Sequence, residues 1–126
     1  MIAEFCMAQQ DNAAMAEFIA PLRAKAGEWQ QLSQAISQRA QGDADEIGAA
    51  AYDYLFYSGY VVLAYWWARS VAVAEASPRP EAFKRSKRET ARFYFQRILP
   101  RTGVHAQAIG SGAASLMSLP DADFDA

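Results

Sequence analysis

Tyr52–Ala76 reads YDYLFYSGYVVLAYWWARSVAVAEA, and this stretch decides the fold. It is helix-length and rich in aromatics, and it stays apolar for longer than one buried stripe requires. Tyr52, Leu55, Phe56, Gly59, Val62, Leu63, Trp66, Arg69 and Val73 share one broad helical face, and Tyr54, Tyr57, Val61, Tyr65 and Ala72 cover much of the rest. A helix apolar nearly all round is either central in a bundle or contacted from outside its domain. An exposed aromatic face would mark an interface. The run between Asp53 and Arg69 is about fifteen residues, whereas a membrane span needs roughly 20, so the stretch reads as a core helix with no membrane span.

Outward from this stretch, Gly42-Asp43 marks a stop and restart. Asp43 and Glu46 have the acidic spacing of a helix N-terminus. The helix is expected from about Asp45 to Ala76, roughly 45 Å long. Ser77-Pro78-Arg79-Pro80 ends it, because each proline disfavours helix in the residue before it. A following helix starts near Pro80 or Glu81, with Phe83, Thr90, Ala91, Tyr94 and Ile98 on its apolar side and Phe95 and Leu99 flanking. Pro100 should end or kink it, with Thr102–Ile109 continuing beyond. Ala113–Leu119 can add a last turn or two. Upstream, Ile2–Ala20 and Leu22–Gln41 read as two helices meeting at Pro21, from apolar residues recurring in steps of three and four. The expectation is an all-α, up-and-down bundle of four main helices with a short C-terminal helical piece, residues 1–120, followed by an acidic frayed tail, 121–126. There is no internal repeat, no sustained heptad and no low-complexity tract.

Bulk composition agrees. The chain has 126 residues, enough for one domain, and with 52% hydrophobic and 21% charged residues it is globular. Its formal net charge of −2 argues against a nucleic-acid binder. Acidic residues dominate up to Asp53 and basic ones from Arg69 to Arg101. Lys84, Arg85, Lys87, Arg88 and Arg92 read as a solvated face with Glu81–Arg85 and Glu89–Arg92 pairs, or as an anion contact. Asp53 and Arg69 are expected to find partners. Cys6 is the sole cysteine, so no internal disulfide forms, and a reduced, cytoplasmic setting fits. His105 is the only histidine, and no HExxH motif is present, so no metal site is expected. No GxSxG, Walker loop or GxGxxG occurs. No catalytic or cofactor-binding residue is assigned.

Several segments together carry a resemblance. They are Asp53-Tyr54-Leu55 with Gly59, Tyr65-Trp66-Trp67-Ala68-Arg69, Thr90–Phe95 followed by Leu99-Pro100, and the closing Gly112–Pro120. The chain resembles the C-terminal helical domain of a subgroup of flavin-dependent acyl-CoA dehydrogenases, the group acting on 3-methylmercaptopropionyl-CoA. The resemblance implies an oxidoreductase parent of fatty acid metabolism, in which FAD and the catalytic base lie upstream of this domain. It implies no cofactor in this chain itself. The partner would be the acyl-CoA dehydrogenase core or subunit, within a homo-oligomer. The chain would be a fragment of such an enzyme or a freestanding subunit, non-catalytic and serving packing or oligomer contacts. Candidate interface residues are Tyr57, Tyr65, Trp67 and Phe93, with Arg88 and Arg92 as polar partners. The alternative is an independent small helical binding or protein-interaction domain, with a pocket lined by Tyr54, Tyr57, Trp66 and Tyr94.

Overall fold

The computed structural model describes residues 1–124. The fold is all-α. Helix α1 (Ile2–Ala8) leads through a 3-10 turn at Ala13–Met15 into α2 (Ala16–Ala40). The long α3 (Asp45–Ala76) follows, then α4 (Glu81–Phe93). A π-helical turn at Tyr94–Ile98 and a 3-10 turn at Leu99–Arg101 join α4 to α5 (Thr102–Ser111), and α6 (Ala114–Met117) closes the bundle. Of the expected tail, Asp121–Asp123 forms an exposed 3-10 turn, and Asp125 and Ala126 lie outside the described residues.

Three legs run antiparallel, and their polar contacts give the register. Between α2 and α3, Tyr57 Oη donates to the Lys25 carbonyl at 3.1 Å, Ser33 Oγ meets Tyr54 Oη at 2.7 Å, and Arg39 Nε donates to Glu46 at 3.0 Å. Between α3 and the α4–α5 leg, Arg88 pairs with Glu75, Tyr94 Oη donates to the Tyr60 carbonyl at 2.8 Å, and His105 Nδ1 sits 2.8 Å from Asp53. In each series one number rises as the other falls. The inward stripe of α3 is Ala50, Tyr57, Val61, Ala64, Ala68 and Val71, all buried. Its alanines leave room for neighbouring backbones. Met15, Phe18, Ile19 and Leu22 of the α2 leg fill the core with Tyr94, Leu99 and Ile109 of the other.

The break in the N-terminal region falls at Gln9–Asn12, not at Pro21 as the sequence suggested. Asn12 accepts from the Ala14 N–H at 3.2 Å and donates to Gln9 Oε1 at 2.9 Å, a local bonding scheme that competes with helix. Pro21 sits inside α2. Its missing N–H forgoes one intrahelical bond near the helix start, and burial of Phe18, Ile19 and Leu22 around it outweighs that loss. On α4, Phe83 and Thr90 are exposed, and only Ala91 of the expected apolar side above Tyr94 is buried. Pro100 does not end its leg. The backbone widens into the π turn before it and tightens into 3-10 around it, which accommodates a ring that cannot donate to the fourth residue back. Buried Thr102 Oγ1 then donates to the Leu99 carbonyl at 2.7 Å.

Two ends of α3 are built as the sequence implies. Asp43 Oδ1 accepts from the Asp45 N–H at 3.0 Å, and Ser77 Oγ donates to the Ala74 carbonyl at 2.7 Å before the extended step into Pro78. Glu46 does something else. One carboxylate oxygen takes Arg39 and the other accepts from the Ala113 N–H at 3.1 Å, while Arg39 Nη2 donates to the Ile109 carbonyl at 2.8 Å. The pair thus ties the C-terminus of α5 to the α2–α3 hairpin. The guanidinium also sits at the negative end of the α5 dipole.

Gly112 makes that clamp possible. It has φ +70° and ψ −169°, a region open essentially to glycine alone, and a Cβ there would lie 3.0 Å from Glu46 Oε1. Gly112→Ala should therefore destabilise the chain by about 1–3 kcal/mol. Gly110→Ala, on an open helical site, should be neutral or stabilising by up to about 1 kcal/mol. Urea unfolding of the two variants checks this, and equal midpoints would show that the loop repacks without strain.

The core tyrosines give a pH prediction. Burial pushes the Tyr94 phenol up to about 12, helped by the neighbouring Tyr60, and burial with nearby Glu28 raises Tyr57 as well. Unfolded tyrosine ionises near 10. The folded state therefore holds these protons more tightly, and the stability this contributes is full below about pH 10 and is lost as pH rises toward about 12. Phenolate absorbance followed with helicity should show late-titrating tyrosines whose ionisation coincides with unfolding. All six tyrosines titrating together near pH 10 with helices intact would refute it.

Candidate functional site

The largest unsatisfied feature of the molecule is a face of α3. Tyr52, Phe56, Gly59, Leu63, Trp66, Ser70 and Val73 follow one another in steps of four and three, and Leu55 flanks them. Gly59 and Ser70 interrupt the apolar character but not the spacing. All eight are exposed; Leu63 is 50% and Trp66 51% accessible. This stripe lies opposite the buried one. It has the spacing by which one helix packs on another, and no helix of the described residues packs along it, although His105 of α5 meets the Phe56 ring. Near its N-terminal end it runs into an apolar groove of about 700 Å³ between α2 and α3, where Ile36, Ile47, Tyr54 and Leu55 form the walls and Ser33 and Ser58 lie at the rim. A shallower depression against Phe56, Gly59 and Leu63 continues it.

The residues expected at a contact fall elsewhere. Tyr57 is fully buried and Tyr65 is 3% exposed, so neither presents surface to a partner in this fold. Helical phase is the reason. Tyr57 lies on the stripe that faces α2, and Tyr65 is covered by Phe5 of α1, whose ring meets it edge-on at 5.5 Å. Trp67 is half-buried against the core, whereas Phe93 is 60% exposed on α4. Arg88 and Arg92 already have partners within the chain. Arg88 bridges Glu75 and Glu81. Arg92 grips Glu17 of α2 with two bonds of 2.8 Å and also pairs with Glu89. That guanidinium holds the Glu17 carboxyl below the usual carboxylate range. The Glu89–Arg92 pair was anticipated, but Glu81 turns to Arg88 rather than Arg85. The pocket imagined from Tyr54, Tyr57, Trp66 and Tyr94 does not form. Tyr57 and Tyr94 bond to backbone carbonyls inside the core, while Tyr54 lines the α2–α3 groove and Trp66 stands near the α3–α4 hairpin.

Of the two charges that bracket the aromatic run, Asp53 takes His105, whose ring stacks on Phe56 at 5.4 Å and 11°. Arg69 finds no carboxylate among the described residues. It donates to Tyr65 Oη at 3.2 Å and lies over the Tyr65 and Trp66 rings. Burial raises the Cys6 thiol, which does not favour a nucleophilic thiolate. Among the described residues no group of three His, Cys, Asp or Glu side chains could hold a metal ion, and no helix is long and apolar enough to cross a membrane. The depressions are open surface grooves.

No curated protein matches this sequence. A family model does, over residues 1–120, and its description is acetyl-CoA dehydrogenase C-terminal like. That match spans every helix from α1 to α6, including both the buried core and the open stripe of α3. The chain belongs to the acetyl-CoA dehydrogenase C-terminal-like family, as a helical domain of the acyl-CoA dehydrogenase type.

Proposed function

We propose that this chain is the non-catalytic C-terminal helical module of an FAD-dependent acyl-CoA dehydrogenase, as part of a longer polypeptide or as a separate subunit. The flavin, the acyl-CoA pocket and the proton-abstracting base belong to the dehydrogenase core, and the module works through contact, with that core or between copies in an oligomer. The parent is read as an enzyme of fatty acid metabolism in the cytoplasm, of the subgroup acting on 3-methylmercaptopropionyl-CoA. One observation carries the contact role: the open apolar stripe of α3, Tyr52 to Val73, which runs for some six turns with large side chains exposed. Family membership supports the choice of partner. Large apolar side chains left in water along a whole helix face are a cost that a docking partner removes.

The stripe, rather than Tyr57 and Tyr65, is where contact energy should concentrate. Leu63→Asp and Trp66→Asp remove apolar surface that is already half in water, so they should shift folding stability by only about 0.5 kcal/mol. In a docked state each buries a charge and should weaken assembly by about 2 kcal/mol or more, roughly thirtyfold. Sedimentation of the chain with the dehydrogenase core, alongside thermal melts, reads both quantities. Val61→Asp on the buried stripe should instead unfold the chain. Unchanged assembly in the Leu63 and Trp66 variants would overturn the docking role of this face. Small-molecule stabilisation through the α2–α3 groove would then favour an independent binding domain.

A further inference from the structure

A second feature, at the opposite end of α3 from the α2–α3 groove, is cationic. The last turns of α3 and the start of α4 enclose a surface cleft of about 410 Å³, bordered by Trp66, Arg69, Arg79, Phe83 and Lys87. Each cation rests on an aromatic ring. Arg69 Cζ lies 5.4 Å from the Trp66 ring centre, and Arg79 Cζ and Lys87 Nζ lie 5.6 and 5.5 Å from that of Phe83. No carboxylate borders the cleft. The nearby acids of the hairpin, Glu75 and Glu81, both pair with Arg88. Glu4, beside Arg69 in an adjoining depression, takes the Met1 amino group at 2.8 Å. The hydroxyls of Ser70 and Ser77 donate to the carbonyls of Trp66 and Ala74, so the cleft's remaining donors are the cations, of which Arg69 spends one N–H on Tyr65 Oη.

This separates the basic run into two chemically different groups. Arg88 and Arg92 are consumed by carboxylates of this chain. Arg69, Arg79 and Lys87 converge on one cleft with none. Three like charges around one concavity raise the local potential and draw in counter-ions. A guanidinium held near an aromatic ring keeps its planar fork of N–H donors, which matches two oxygens of one anion. Three cations outmatch a single carboxylate and suit a phosphoryl group of higher charge. We propose that this cleft is a binding site for a phosphoryl-bearing anion, held by Arg69, Arg79 and Lys87 over Trp66 and Phe83. It shares Trp66, Ser70 and Val73 with the open stripe of α3, and none of its three cations belongs to that stripe.

The test uses the whole chain and inorganic pyrophosphate at constant ionic strength, followed by amide, arginine and indole resonances in NMR. Saturable shifts confined to Trp66, Arg69, Arg79, Phe83 and Lys87 are expected. Arg79→Ala with Lys87→Ala should weaken binding roughly tenfold or more. The charge-matched pair Arg85→Ala with Arg97→Ala, outside the cleft, should leave it unchanged, and an unaltered amide spectrum certifies each fold. Adenosine diphosphate binding more tightly than pyrophosphate identifies a nucleotide as the source of the phosphoryl group, and equal binding identifies the bare phosphoryl group. Unsaturable shifts, or equal weakening by the two charge-matched pairs, would overturn the site.

Discussion

The bundle depends on one mismatch: α3 is longer and more apolar than the rest of the chain can cover. Its 32 residues span about 48 Å and carry large side chains on nearly every face. The two flanking legs, α2 and α4–α5, bury one side, and α1 covers part of a second through Phe5 on Tyr65. Fully burying a side chain such as Val61 or Val71 contributes about 1.5–3 kcal/mol, so the inward stripe anchors the legs packed on it. The outward stripe has no such return among the described residues. That leftover face is the observation on which the proposed contact role rests.

Apolar burial does not by itself fix how far each leg slides along α3, because one turn of a helix offers much the same surface as the next. Directional bonds fix it. Tyr57, Tyr54 and Glu46 set α2, and Glu75, Tyr60 and Asp53 set the α4–α5 leg. Most of these groups are partly buried, where an unmade bond costs about 1–3 kcal/mol, and a slip would leave several unmade at once. The Arg39–Glu46 clamp adds the C-terminus of α5 to the same register and needs Gly112 to turn the chain beneath it.

Much of this was legible from residue types. Asp45–Ala76 and its stop at Ser77–Pro80 follow from the apolar run and the two prolines, and the helical continuation past Pro100 follows from Thr102–Ile109. Three things were not legible. The break at Gln9–Asn12 outranks the one suggested by Pro21, because Asn12 caps a new helix while Pro21 is surrounded by buried Phe18, Ile19 and Leu22. The π turn at Tyr94–Ile98 depends on the backbone path around Pro100, not on composition. Which side of α3 faces out was hidden because both stripes are apolar. Tyr57 and Tyr65 look as suited to an interface as Leu63 and Trp66 until their neighbours are known.

By itself the sequence determined an all-α chain, the extent of its dominant helix, the absence of familiar catalytic motifs, and the family to which residues 1–120 belong. Those rest on local properties: helix propensity, proline geometry and the order of side chains along the chain. The tertiary structure decided the phase of α3, the pairing of Arg88 and Arg92 within the chain, and the gathering of Arg69, Arg79 and Lys87 without a carboxylate. Those depend on which distant residues pack or pair, and a helix with apolar side chains on two opposite faces does not by itself say which face turns inward.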